Sequence, residues 1–160
     1  MPAGKTTRPP VVIGFGQNGG KGYAMALNYL GIFFAALAAW LLGAAWYGVL
    51  GKQWVAALGR TADDVKDASG KRKTPIGAMV VAFVALLIMA AMLSGIMVHT
   101  GGHTVRIGAI SGALVWFGFV ITTQTVNYAF QKRKPMLSAI DGGHWLAVLI
   151  VQGIVLGMLG

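Results

Sequence analysis

The sequence predicts an all-α polytopic membrane protein, a bundle of four transmembrane helices, and two observations carry that expectation. Four stretches, 22–51, 74–105, 107–131 and 142–160, contain no Lys, Arg, Asp or Glu. Each is at least as long as the roughly 17 to 25 apolar residues that a helix needs to cross a hydrocarbon core about 30 Å thick. Composition agrees: 56% of the residues are hydrophobic, 11% are charged and the mean hydropathy is +0.70. A water-soluble domain carries about 25% charged residues. Residues 1–24 read as a Gly-rich basic tail, expected to be disordered, and residues 25–160 as the membrane domain.

The first span, 28–50, places Gly31, Ala35, Ala39 and Gly43 at four-residue intervals. Such a stripe of small residues lets a neighbouring helix approach the backbone closely. Trp46, Tyr47 and Trp54 follow as expected interface anchors, with Trp145 in the same role on the fourth span. The connection after Lys52 contains two short candidate helices. One is 53–58, lying on the membrane; the other is capped by Thr61 with Asp64 three residues on, the spacing of a capping box.

The second span, 76–98, carries methionines that fill gaps between helices. The segment His99-Thr100-Gly101-Gly102-His103 makes a tight turn into the third span, 107–130, which opens with Gly108 and Gly112. The fourth span, 143–159, repeats that small-residue spacing at Gly153 and Gly157. Trp46-Tyr47-Gly48 on the first span and Trp116-Phe117-Gly118 on the third are a faint internal echo, each followed by a basic loop.

The formal net charge of +9 falls between the spans. Lys52, Arg60, Lys66, Lys71, Arg72 and Lys73 lie in the first connection and Lys132, Arg133 and Lys134 in the third. Lys5, Arg8, Lys21 and Arg106 lie on the other side. The positive-inside rule then places both basic loops in the cytoplasm and both termini outside it. These loops suit anionic lipid, at roughly 1 kcal/mol per residue near the surface, and nucleic acid, which would call for exposed aromatics interleaved with the charges, is not an expected partner.

Several chemical signatures fail on context. The run Val11-Val12-Ile13-Gly14-Phe15-Gly16-Gln17-Asn18-Gly19 contains GxGxxG, yet a membrane span comes next and no acidic residue precedes Asp63. A dinucleotide site needs a strand before the motif, an amphipathic helix after it and an acid about twenty residues on. His99 and His103 are separated by glycines and lack a nearby carboxylate, so no metal is expected. With no cysteines, thiolate chemistry is absent, and no cofactor is expected.

A polar face formed by Thr123, Gln124 and Asn127 lies within the third span, and Gln152 in the fourth is positioned to bond to it. Asp141 reads as a cap on the fourth span, with Lys132, Arg133 or Lys134 as candidate ion-pair partners and His144 close enough to form an acid–base pair.

Taken as an ordered set, these landmarks resemble the family of small bacterial membrane proteins called domain of unknown function 1761. The resemblance rests on Asn28, Trp46-Tyr47-Gly48, Lys52, Trp54 and Ala57-Leu58-Gly59 with Asp63-Asp64-Val65. It continues through Trp116, Gly118, Phe119, the run Thr122 to Asn127, Ile140-Asp141-Gly142 and Gly153. It covers Asn28 to Gly160 and implies four helices, with no activity or ligand to carry over. His144 departs from the aromatic residue expected beside Trp145. Members begin just before the first span, which leaves Met1 and Met25 as alternative starts.

The expected function is that of a non-enzymatic accessory or assembly subunit of the bacterial cytoplasmic membrane, packing through small-residue faces as a homo-oligomer or within a larger complex. The alternative is a small oligomeric transporter or channel with Thr123, Gln124, Asn127 and Gln152 lining its path. A membrane enzyme using Asp141 and His144 is the third reading.

Overall fold

A computed structural model describes residues 28–61, 63–65 and 75–160. The expected tail at 1–24 and the basic run Lys71-Arg72-Lys73 lie outside them. The elements are α1 (Tyr29–Ala57), a 3-10 turn (Asp63–Val65), α2 (Ile76–Thr100), α3 (Val105–Val115), a π turn (Trp116–Val120), α4 (Ile121–Phe130) and α5 (Pro135–Leu159). The chain is all-helical, with no strand among the described residues. Four helical segments are long and apolar enough to cross a membrane: α1, α2, the continuous run Val105–Phe130, and α5.

Local chemistry sets the helix ends. Asn28 caps α1, its side-chain oxygen accepting from the Gly31 N–H at 2.9 Å, which satisfies one of the free amides of the first turn. Its amide nitrogen donates to the Leu159 carbonyl, tying the start of α1 to the end of α5. Thr104 caps α3 through a 3.2 Å bond from the Ile107 N–H. Gly101 and Gly102, at φ 130° and 97°, turn the chain between α2 and α3 in a region that side-chain-bearing residues avoid. α4 ends in a Schellman pattern: the Arg133 N–H reaches the Tyr128 carbonyl and the Lys132 N–H that of Ala129. Lys132 takes the left-handed position, φ 52°, where glycine is usual.

Two helix boundaries differ from expectation. α1 continues through Lys52 to Ala57, so the short surface helix expected at 53–58 forms its last turns. α5 begins at Pro135 rather than near residue 143. Proline is favoured at the first helical position because its missing N–H would have no intrahelical partner there. Asp141 therefore lies within α5, about 9 Å along the axis from Pro135 at 1.5 Å per residue, and is not a helix cap.

The bundle is organised around α5. Gly108 on α3 and Gly153 on α5 face each other so closely that a Cβ on either would overlap the other's carbonyl. Gly112 meets the Leu149 carbonyl, and Gly157 meets Thr104, in the same way. The two glycine pairs read separately in the sequence are thus halves of one antiparallel contact. On α1, the stripe residues Gly31, Ala35 and Ala39 are buried. Ala35 joins Ala90, Leu93 and Met97 of α2 and Leu149 and Leu156 of α5 in one apolar cluster. Ala39 packs with Leu86 and Val148 in a second.

The π turn keeps the third span in contact with α5. The Ile121 N–H bonds to the Trp116 carbonyl five residues back, which adds one residue to the turn and rotates the helix beyond it. Gly112, Trp116, Ile121, Gln124 and Tyr128 consequently all reach α5.

The expected helix after α1 is a three-residue 3-10 turn among the described residues, and it carries one half of the expected capping box. Asp64 Oδ2 accepts from the Thr61 N–H at 2.7 Å and the Thr61 hydroxyl at 2.8 Å. These bonds, the backbone one foremost, hold its carboxyl below the ordinary value of 3.8. A depressed carboxyl stabilises the turn fully above the ordinary value and loses that effect as pH falls through its own lower value. The Thr61 amide resonance is expected to titrate with a midpoint below 3.8, read by NMR of the protein in detergent. At the α3–α5 contact, Gly108→Leu is expected to destabilise the bundle by about 1–3 kcal/mol, as overpacking of a closed contact does. Thermal unfolding in mild detergent measures it, and an unshifted midpoint would contradict the backbone contact.

Candidate functional site

Asp141 is the centre of a polar cluster at the end of the bundle shared by Lys52, Arg60 and Lys132 to Lys134. It is 7% exposed. Its Oδ1 accepts from the Tyr47 hydroxyl and the Trp54 ring N–H, both at 2.9 Å, and its Oδ2 from the Tyr128 hydroxyl at 2.7 Å. All three donors are neutral side chains, so the ion pair with Lys132, Arg133 or Lys134 read from the sequence is replaced by hydrogen bonds from aromatic residues. Lys134 instead donates to the Ala56 carbonyl at 3.2 Å, where a cation complements the negative end of α1.

Helix periodicity explains how the donors converge. Tyr47 and Trp54 are seven residues apart, two turns on one face of α1, with ring centroids 5.5 Å apart. Tyr128 arrives from α4 on the register set by the π turn. Two further indoles bind the carbonyls beside the carboxylate: Trp46 donates to Ile140 at 3.2 Å and Trp116 to Gly142 at 2.8 Å. The sequence echo thus has a structural counterpart, one tryptophan from each half clasping α5 on either side of Asp141. Gly142 and Gly143 make room for the clasp, since a Cβ on Gly142 would press on Ile121 at 2.7 Å and one on Gly143 would meet the Trp46 ring at 3.2 Å.

His144 lies one turn after Asp141 and is also 7% exposed. Its ring packs against Tyr47 and Trp145, with centroids at 4.9 and 5.0 Å, and against Trp46 at 6.2 Å. Its Nδ1 is buried without a hydrogen-bond partner. The ring forms one wall of a groove of about 440 Å³ lined from α1 by Trp40, Gly43, Ala44, Tyr47 and Trp54, and from α2 by Ala78, Met79 and Ala82.

The expected polar face divides. Gln124 Nε2 donates to the Ser138 carbonyl at 3.3 Å, whereas Thr123 and Asn127 lie exposed on the outer side of α4. Gln152 is fully buried and donates to the Leu86 carbonyl of α2 at 2.9 Å, so it does not bond to the third span. Of the interface residues, Trp46, Tyr47 and Trp54 direct their polar atoms inward onto α5, and Trp145 packs beside His144. His103 turns inward to bond Ser94 at 2.8 Å. No group of three or more His, Cys, Asp or Glu side chains that could hold a metal ion occurs among the described residues.

The cluster makes a graded expectation. Tyr128→Phe removes one bond to a charged acceptor, worth about 1.5–3 kcal/mol. Asp141→Ala orphans three donors together, at about 1–3 kcal/mol each, and is expected to lower the unfolding midpoint much further than Tyr128→Phe in the same detergent. Equal shifts would mean that Asp141 does not organise the cluster.

No curated protein and no solved structure matches the chain. The family described as "Protein of unknown function (DUF1761)" matches residues 30–157, a range that holds α5 almost to its end and every donor to Asp141. This chain belongs to the DUF1761 family, whose function is unknown.

Proposed function

We propose that this chain is a non-enzymatic accessory or assembly subunit of a bacterial cytoplasmic membrane, with both termini outside the cytoplasm, and that it docks through the outer face of α4. The exposure of Thr123 and Asn127 on a membrane-spanning helix carries the reading. Thr123 lies roughly 10 Å inside the end of α4 at 1.5 Å per residue, in a medium that offers polar groups no partner. An asparagine amide both donates and accepts, so the face suits a reciprocal contact with a second copy as well as a foreign helix. The engagement of both Asp141 oxygens by three donors supports a structural role for that carboxylate over acid–base chemistry. A transport path through one copy has less support, because Gln152 is turned toward α2 and away from Thr123 and Asn127.

Native mass spectrometry of the tagged full chain, extracted in mild detergent from its own membrane, tests the proposal. A homo-oligomer or a stoichiometric complex is expected. Thr123→Val with Asn127→Leu is expected to weaken it by roughly three- to twentyfold, the effect of about 0.6 to 1.7 kcal/mol for an interhelical hydrogen bond. A monomer in both proteins, or an assembly indifferent to the substitutions, would overturn it.

A further inference from the structure

The groove between α1, α2 and α5 is independent of the α4 face, and three of its properties narrow what could fill it. Its described lining carries no charged residue and is mostly apolar. Ala78 and Ala82 on α2 are exposed, so the groove opens sideways, toward where lipid would lie. At its inner end stands His144, more than nine-tenths buried; its Nδ1 is closed off, and its Nε2, beside Gly43 in the lining, faces the groove with no hydrogen-bond partner among the described residues. Buried polar atoms are rarely left without a partner, because each costs the full desolvation of the group. The volume of about 440 Å³ falls in the range of roughly 300–1,000 Å³ that small-molecule sites occupy.

We propose that this groove binds a neutral amphiphile drawn from the bilayer, with a single hydroxyl or carbonyl oxygen hydrogen-bonded to His144 Nε2 and its apolar body lying along Trp40 and Ala82. The Nε2 of a neutral imidazole donates in one tautomer and accepts in the other, so a single hydroxyl can meet it in either form and a carbonyl oxygen when Nε2 carries the proton. An anionic head finds no lysine or arginine among the described lining residues. A cationic head finds no carboxylate among the described lining residues, and Asp141 lies behind Tyr47 and Trp54 with both oxygens engaged. Against that described lining, either charge would be desolvated without a counter-charge. The rings of Trp40, Tyr47 and Trp145 supply a rigid apolar wall, and Gly43 leaves the imidazole accessible: a Cβ there would stand 3.1 Å from Nε2.

The test uses the full chain in phosphatidylcholine vesicles and a diazirine-bearing octadecanol as photoactivatable probe, with the adducts mapped by peptide mass spectrometry. Adducts are expected on the α1 segment from Trp40 to Tyr47 and on the segment containing His144. Ala82→Trp, which fills the groove from its exposed side, should abolish them. His144→Phe, which keeps a ring but loses the hydrogen bond, should reduce them by up to about tenfold. Both variants should keep the wild-type unfolding midpoint to within a few degrees, so that loss of labelling reports the groove and not the fold. Unlabelled octadecanol and a long-chain methyl ketone should compete, and their relative strength separates a hydroxyl head from a carbonyl one. Hexadecane, palmitate and hexadecyltrimethylammonium should not. Labelling spread over all lipid-facing helices, labelling that survives Ala82→Trp, or competition as strong from a charged or headless chain would overturn the proposal.

Discussion

A carboxylate buried within a helix bundle must be matched by the protein, because burial strips it of water. Asp141 meets that requirement with three aromatic donors drawn from two other helices, and much of the remaining architecture results from bringing them together. α1 has to run on past Lys52 so that Trp54 can reach the carboxylate. The third span has to gain a residue at its π turn so that Tyr128 faces α5. Gly142 and Gly143 have to lack side chains so that Ile121 and the Trp46 ring fit beside the acid. Neutral donors suit the site better than a lysine would. A buried pair of opposite charges desolvates two ions, and its mutual attraction often only breaks even.

The second organising contact is steric. Gly108, Gly112, Gly153 and Gly157 bring α3 and α5 together backbone to backbone, which in lipid supplies the dispersion and weak polar contacts that replace a hydrophobic driving force. The two contacts divide α5 between them. Its first half is held by hydrogen bonds around Asp141 and its second by glycine packing, where Gln152, bonded to the Leu86 carbonyl, adds a polar pin to α2. Between α1, α2 and α5 the same arrangement leaves the groove beside His144.

The number of spans and the small-residue stripes were legible in the sequence because both depend on local composition. Of the α1 stripe, Ala35, Ala39 and Gly43 are at helix contacts while Gly31 meets its own cap Asn28, and both glycine pairs lie at the α3–α5 contact, although spacing alone could not say that Gly108 would meet Gly153. The role of Asp141 was not legible, because a charge-free stretch ends by definition at a charge, and the basic run before it resembled a loop. Pro135 at the first helical position was the available sign that α5 starts earlier. Trp46, Tyr47 and Trp54 looked like interfacial anchors because their composition and position fit that role equally well; which way an indole N–H points is a tertiary fact. The separation of Gln152 from the third span has the same origin. Its partner is a backbone carbonyl, and every helix residue carries one.

The position of α5 along the chain has a consequence for biosynthesis. The helix around which the others pack is synthesised after all of them. Until it arrives, Tyr47, Trp54 and Tyr128 lack the carboxylate that binds them in the finished bundle, and Gly108 and Gly112 lack their partner backbone. Three inserted spans must therefore persist in the bilayer as a loose assembly, with hydroxyl and indole donors still seeking acceptors. Such an intermediate is distinguishable from the finished bundle by the same polar groups that later stabilise it. A membrane chaperone or protease inspecting unmatched donors would have a chemical criterion for completeness, and insertion of a single acidic residue would end the inspection.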